Sequence, residues 1–275
     1  MKKILLAFDG SHYSEGALLF AKKLNEKSPV LVTASFLPQV DFANLWSYSG
    51  GGGGQGKEFI PLVEDSNADD INKNIKRFEA FCRQNHFRFR IHKDYLDFAI
   101  PELKKESRYS DLLIISSELF YEQAGTTTPN EYLEQVLHEV ECPVLIVPEE
   151  FEFPKSNILS YDGSGDSVFA IKQFAWLFPE LAELPTTLVY AGKHENGFPD
   201  EQYIKELISA HYPQTAWVKL DTNTRKYFTT WISEKKTACL ISGSFGRGDL
   251  SRIFKKSFIT EVIAEHRLPV FIAHR

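Results

Sequence analysis

Residues 243 to 257 read Gly243-Ser-Phe-Gly246-Arg247-Gly-Asp249-Leu-Ser-Arg252-Ile-Phe-Lys255-Lys256-Ser257, a glycine-rich stretch entered from the apolar run Cys239-Leu-Ile-Ser242. A loop of this composition at a helix start aims backbone N–H groups at an anion. Arg247, Arg252, Lys255 and Lys256 against Asp249 give it a local charge of +3, which suits phosphate. A surface turn that uses glycine for its φ freedom is the competing reading. Asp162-Gly163-Ser164 is the second chemical element: it ends the apolar run Ile158 to Tyr161 and sets a carboxylate and a hydroxyl before a helical pattern. Such an Asp either hydrogen-bonds a base or ribose or closes a turn.

Both elements belong to an internal repeat. Ile4-Leu-Leu-Ala-Phe-Asp9-Gly10-Ser11 returns as Asn157-Ile-Leu-Ser-Tyr-Asp162-Gly163-Ser164, an offset of 153. Leu113-Ile-Ile-Ser116 returns as Cys239-Leu-Ile-Ser242, and Pro143-Val-Leu-Ile-Val147 as Pro269-Val-Phe-Ile-Ala273, both at an offset of 126. The first copy therefore carries about 27 extra residues, assigned to 38–66 with its run Gly50 to Gly54. A five-glycine run is a flexible loop tip. Helical patterns follow both Asp-Gly-Ser elements, through Leu18, Phe20, Ala21 and Leu24 and through Phe169, Ile171, Phe174, Ala175 and Leu177.

Either copy reads as strand, helix, strand, long connection, helix, strand, helix pattern, strand, which predicts α/β architecture: a parallel sheet covered by helices. The continuous apolar strands, such as Val30 to Phe36, fit a sheet buried on both faces. Two tandem domains are expected, residues 1–150 and 151–275, each doubly wound and Rossmann-like. In that arrangement the loops after Asp9 or Asp162 and after Ser116 or Ser242 face each other across a crevice where the strand order reverses.

The composition, 43% hydrophobic and 25% charged, is that of a globular protein. The opening apolar run stops at Asp9, too soon for a secretory signal, and no run is long enough for a membrane helix, so a cytoplasmic protein is expected. Cys82, Cys142 and Cys239 are odd in number and widely spaced, which reads as reduced structural thiols. The eight histidines show no zinc spacing, so no metal is expected. Residues 1–150 carry a net charge of −7 and 151–275 of +1, without the basic stripe that nucleic acid needs.

At this point the chain resembles the universal stress protein family, whose nucleotide-binding members carry G-x2-G-x9-G-[ST] after strand four and an Asp after strand one. Gly243, Gly246 and Ser257 match that pattern; Lys256 stands where the family has its third glycine. The resemblance implies two five-stranded domains whose last strands, Val144 to Val147 and Val270 to Ala273, pair as an intramolecular pseudo-dimer that covers apolar edges otherwise open to aggregation, a stress-response or regulatory role without catalysis, and ATP or ADP held by Asp162, Gly163, Ser164, Gly243, Gly246, Lys256 and Ser257. Lys256 either holds a phosphate as a compact cation or fills the space the phosphate needs. In the first copy the offset puts Ser117, Phe120, Asn130 and Glu131 at the signature positions, and residues 117–131 carry a charge of −3. Any nucleotide is thus expected in the second domain only. Two alternatives stand: a structural or protein-interaction module without nucleotide, and an ATP-using enzyme of the pyrophosphatase type, which Asp162-Gly-Ser-Gly-Asp-Ser167 faintly resembles. A higher homo-oligomer is compatible with either.

Overall fold

The computed structural model describes residues 1–9, 12–37, 65–92, 99–120, 131–191, 197–220, 231–232, 235, 237–243 and 262–274. The first half contains β1 (Lys2–Phe8), α1 (Glu15–Lys27), β2 (Val30–Phe36), α2 (Asp65–Gln84), β3 (Arg88–His92), α3 (Ala99–Arg108), β4 (Leu112–Ser116), α4 (Glu131–Glu139) and β5 (Val144–Val147). The second contains β6 (Ser156–Tyr161), α5 (Gly165–Leu177), the short α6 (Pro179–Ala182), β7 (Thr186–Ala191), α7 (Glu201–His211), β8 (Thr215–Leu220), β9 (Ala238–Ser242) and β10 (Val270–Ile272). Residues 50–54 and most of the extra 38–66 segment lie outside the described residues.

All ten strands form one sheet in the order β3-β2-β1-β4-β5-β10-β9-β6-β7-β8. Pairing within each half is parallel, as in Leu5 opposite Thr33 and Leu159 opposite Leu188. Each half thus has the doubly wound order 3-2-1-4-5, with its reversal between the first and fourth strands. At the centre the direction changes: β10 runs antiparallel to β5, with Val270 opposite Ile146, Phe271 opposite Leu145 and Ile272 opposite Val144.

Successive strand side chains alternate between two cores, one on each face of the sheet. Ile4, Leu6 and Phe8 of β1 point to the face covered by α1, α2, α5 and α7, while Leu5 and Ala7 point to the face covered by α3 and α4. The helices bury what their spacing predicts: α1 starts at the Ser14 cap, whose Oγ accepts the Ala17 N–H, and buries Ala17, Leu18, Phe20, Ala21 and Leu24. Both cores run across the seam, since Leu145 of β5 and Phe271 of β10 share one, and Ile146 and Val270 the other.

Cys82 and Cys239 lie inside the core and Cys142 is half-buried; all three are free thiols. Burial pushes the Cys82 thiol from its ordinary 9.0 up to about 12. Burial first, then the Asp111 carboxylate, pushes Cys142 to about 12, and burial also raises Cys239.

Two outcomes follow from this packing. The Phe271 ring is wholly buried and meets Phe174 edge-on at 5.3 Å and Phe178 at 6.0 Å. Phe271→Ala should therefore cost about 3–5 kcal/mol in urea-unfolding free energy, and a loss below about 1 kcal/mol would contradict the packing. With Cys82 and Cys142 held near 12 against an ordinary 9.0, thiolate at pH 8 is roughly a thousandfold scarcer in the folded chain. Disulfide-exchange labelling at pH 8 should accordingly wait for urea; rapid labelling of the native protein would refute it.

Candidate functional site

The two crevices above β1/β4 and β6/β9 start from the same strand order but are filled differently. In the first, Asp9 is 6% exposed and both its carboxylate oxygens engage His12: Oδ1 accepts the His12 N–H at 2.8 Å and Oδ2 meets Nδ1 at 2.7 Å. Above it the Tyr13 ring stacks on Phe8 at 5.6 Å and 6°, Phe8 stacks on Phe36 at 5.0 Å, and the Arg77 guanidinium covers Tyr13 at 4.2 Å. Burial raises the Tyr13 phenol pKa, and Arg77 opposes that shift. Phe120, where the glycine signature would have its second glycine, is buried in the crevice floor. Among the described residues, a cavity of about 10 Å³ touches Asp9, His12, Ser14, Ser116 and Phe120. That is the size of one water.

The N-terminus of α1 is also occupied. Glu149, just past β5, accepts the Ser14 hydroxyl on Oε1 at 2.5 Å and the Gly16 N–H on Oε2 at 3.0 Å. A β-carbon on Gly16 would stand 2.3 Å from the Pro148 carbonyl oxygen and 2.8 Å from the Glu149 α-carbon, so only glycine admits this approach. Glu118 Oε2 in turn accepts the Glu149 N–H at 2.8 Å and the Ser117 hydroxyl at 3.0 Å, and Ser117 Oγ lies 2.9 Å from Nδ1 of His266 in the second half. Because the Ser117 hydroxyl proton is committed to Glu118, His266 Nδ1 donates here, and the pair is not a nucleophile with its base.

In the second crevice Asp162 is exposed, and its Oδ1 accepts the Ser164 N–H at 2.8 Å, closing a turn around Gly163 at φ +84. The Pro199 side chain leans on that turn, 2.8 Å from where a Gly163 β-carbon would be, and the Pro199 carbonyl accepts the Tyr161 hydroxyl at 2.7 Å. Ser164 caps α5 by accepting the Ser167 N–H at 3.1 Å. The 153 offset sets Gly165 opposite His12, so α5 begins one turn earlier than α1. That added turn presses against Gly243, whose β-carbon would lie 2.1 Å from the Asp166 carbonyl carbon and oxygen and 2.4 Å from the Ser167 nitrogen.

Of the sequence-derived site residues, Asp162, Gly163, Ser164 and Gly243 therefore gather at the carboxyl ends of β6 and β9, where strand order reverses. Gly246, Lys256 and Ser257 lie outside the described residues, as do Gly10, Ser11 and Asn130. Gly163 and Gly243 each have a backbone or packing reason to be glycine that involves no ligand. Sequence reasoning missed Glu149, Gly16 and His266. Gly16 carried a readable signal, an isolated glycine inside a helical pattern, which marks a close approach. Among the described residues no group of three His, Cys, Asp or Glu is arranged to hold a metal ion, and no helix is long and apolar enough to cross a membrane.

The class defined by this architecture is the doubly wound, Rossmann-like α/β fold. Within it, the chain has the universal stress protein fold: it matches a universal stress protein from Archaeoglobus fulgidus DSM 4304 with a TM-score of 0.72 and 14% identity, over 100% of this chain and 96% of that one. A functionally unknown protein from Pseudomonas aeruginosa PAO1 matches with a TM-score of 0.56 and 13% identity, over 100% of this chain and 92% of that one. One provisionally named a universal stress protein, from Pseudomonas aeruginosa UCBPP-PA14, matches at 0.54 and 13%, over 100% and 93%. No family model and no curated protein matches the sequence.

The Gly243 contact yields a prediction. Gly243→Ala must displace the first turn of α5 and should cost about 1–3 kcal/mol of stability with no ligand present. A neutral effect on urea unfolding would refute that close contact.

Proposed function

We propose that this is a cytoplasmic, non-enzymatic stress-response protein of the universal stress type, and that it senses an adenine nucleotide, ATP or ADP, through its second half alone. The observation that carries this reading is the contrast between the crevices. Tyr13, Phe120 and Glu149 fill the first, whereas Asp162 and Ser164 stand exposed at the second. Charge acts in the same direction: the segment 243–257 carries +3 and its counterpart 117–131 carries −3, so a polyphosphate is attracted to one and repelled from the other. Asp162 would face the base or ribose, and Gly243, Gly246, Lys256 and Ser257 the phosphates. In this reading the β5–β10 seam stands in for a dimer interface between two domains, and the first half serves as the structural partner.

The contact of Gly243 with Asp166 and Ser167 favours a second reading, a structural or protein-interaction module that takes no nucleotide. Calorimetry with ATP decides between them. We expect one site per chain, with affinity lost in Gly246→Glu by more than about a hundredfold, the scale of two hydrogen bonds to charged oxygens plus a like-charge clash. Weaker binding by Lys256→Gly would mean that the lysine holds phosphate; stronger binding would mean that it obstructs. No heat from either wild type or Lys256→Gly would overturn nucleotide sensing, and binding that survives Gly246→Glu would move the site elsewhere.

A further inference from the structure

His266 stands in left-handed backbone, φ 47, where it closes the helical turn at 262–264 by donating its N–H to the Ile263 carbonyl at 3.0 Å. Glycine is the usual occupant of such a helix end. Val140, the counterpart of His266 in the first half at the 126 offset, instead donates its N–H to the Val136 carbonyl at 3.1 Å, four residues back as in an α-helix. The strained position of His266 puts its imidazole across the seam, with Nδ1 2.9 Å from Ser117 Oγ. The mirrored contact would join Val140 to Gly243, and neither has a polar side chain. The link therefore runs one way, from the second half into the first.

From Ser117 it continues to α1. The Ser117 hydroxyl donates to Glu118 Oε2 at 3.0 Å, the same oxygen accepts the Glu149 N–H at 2.8 Å, and Glu149 Oε2 accepts the Gly16 N–H at 3.0 Å. Hydrogen bonds in series polarise one another. With His266 donating to it, the Ser117 hydroxyl is fixed on Glu118; without that donor it can turn away and leave Glu118 less firmly placed under Glu149. The other end is anchored too, since Val262 and Ile263 lie in the same core as Leu113 and Ile115 of β4, the strand that leads to Ser117.

We propose that His266 is a positioning residue that latches the first crevice from the second half. Through Ser117 and Glu118 it keeps the Pro148–Glu149 segment seated on α1, and displacement of the 262–266 turn loosens that segment. Because Pro148–Glu149 also begins the connection from β5 into the second half, the latch makes the closure of one crevice depend on the state of the other half. This inference goes beyond nucleotide sensing and holds whether or not the second half binds a nucleotide.

The Gly16 N–H reads the latch directly. At the second position of α1 it has no carbonyl partner within the helix, so its hydrogen exchange follows the seating of Glu149. His266→Gly removes the imidazole and suits the left-handed backbone, so the fold is retained. Gly16 exchange, followed by NMR at fixed pH and temperature, should quicken about two- to tenfold in His266→Gly and by a similar factor in Ser117→Ala, the scale of one hydrogen bond. The double variant should be no faster than the single ones, because each removes a step of the same series. The Leu145 amide of β5, at the centre of the sheet, should not quicken with them. Unchanged Gly16 exchange in either single variant, factors that multiply in the double, or a quickening shared equally by Leu145 would overturn the proposal.

Discussion

The antiparallel pairing of β5 with β10 sets the geometry of the whole molecule. Without it each half would end in an apolar strand whose unpaired N–H and C=O groups would seek another chain. With Phe271 opposite Leu145, those groups are satisfied internally and the two parallel sheets become one. Because the register puts Leu145 and Phe271 on one face and Ile146 and Val270 on the other, two hydrophobic cores continue from end to end through the seam. It also explains why a residue just before β10, His266, lies within reach of Ser117 just after β4.

On that shared frame, single glycines decide how each crevice closes. Gly16 lets the chain leaving β5 come down on α1, bringing a carboxylate with it, whereas Gly243 lets the first turn of α5 come up against the end of β9. Both approaches are closer than any side chain permits. The difference in helix start, one turn earlier in α5, leaves room in the first half for the His12-Tyr13-Ser14 segment, and that segment supplies the ring stacked between Phe8 and Arg77. Two copies with one strand order have thus become two different local chemistries.

Much of the fold was legible in the chain. The repeat of Asp-Gly-Ser after apolar strands, and of Pro-led strands at the end of each half, encodes a doubled parallel α/β unit because strands buried on both faces must be continuously apolar. The edge strands β3 and β8, Arg88-Phe-Arg-Ile-His92 and Thr215 to Leu220, were harder to see, since an edge strand with polar positions gives no continuous apolar run. The Ser14 cap was likewise displaced by one turn from the Ser11 that the repeat suggests, since in the first half residues 12–14 lie outside the helix.

The sequence by itself determined the doubled architecture, the apolar faces and the position of Asp162 and Gly243 at strand ends, because these depend on local periodicity and on self-similarity along the chain. Only the tertiary structure decided what fills the first crevice. Glu149 and Gly16 are separated by 133 residues, and nothing local in either segment says that a carboxylate will meet that amide. Strand order, helix start and the glycine approach together create the contact, and those are properties of the packed sheet.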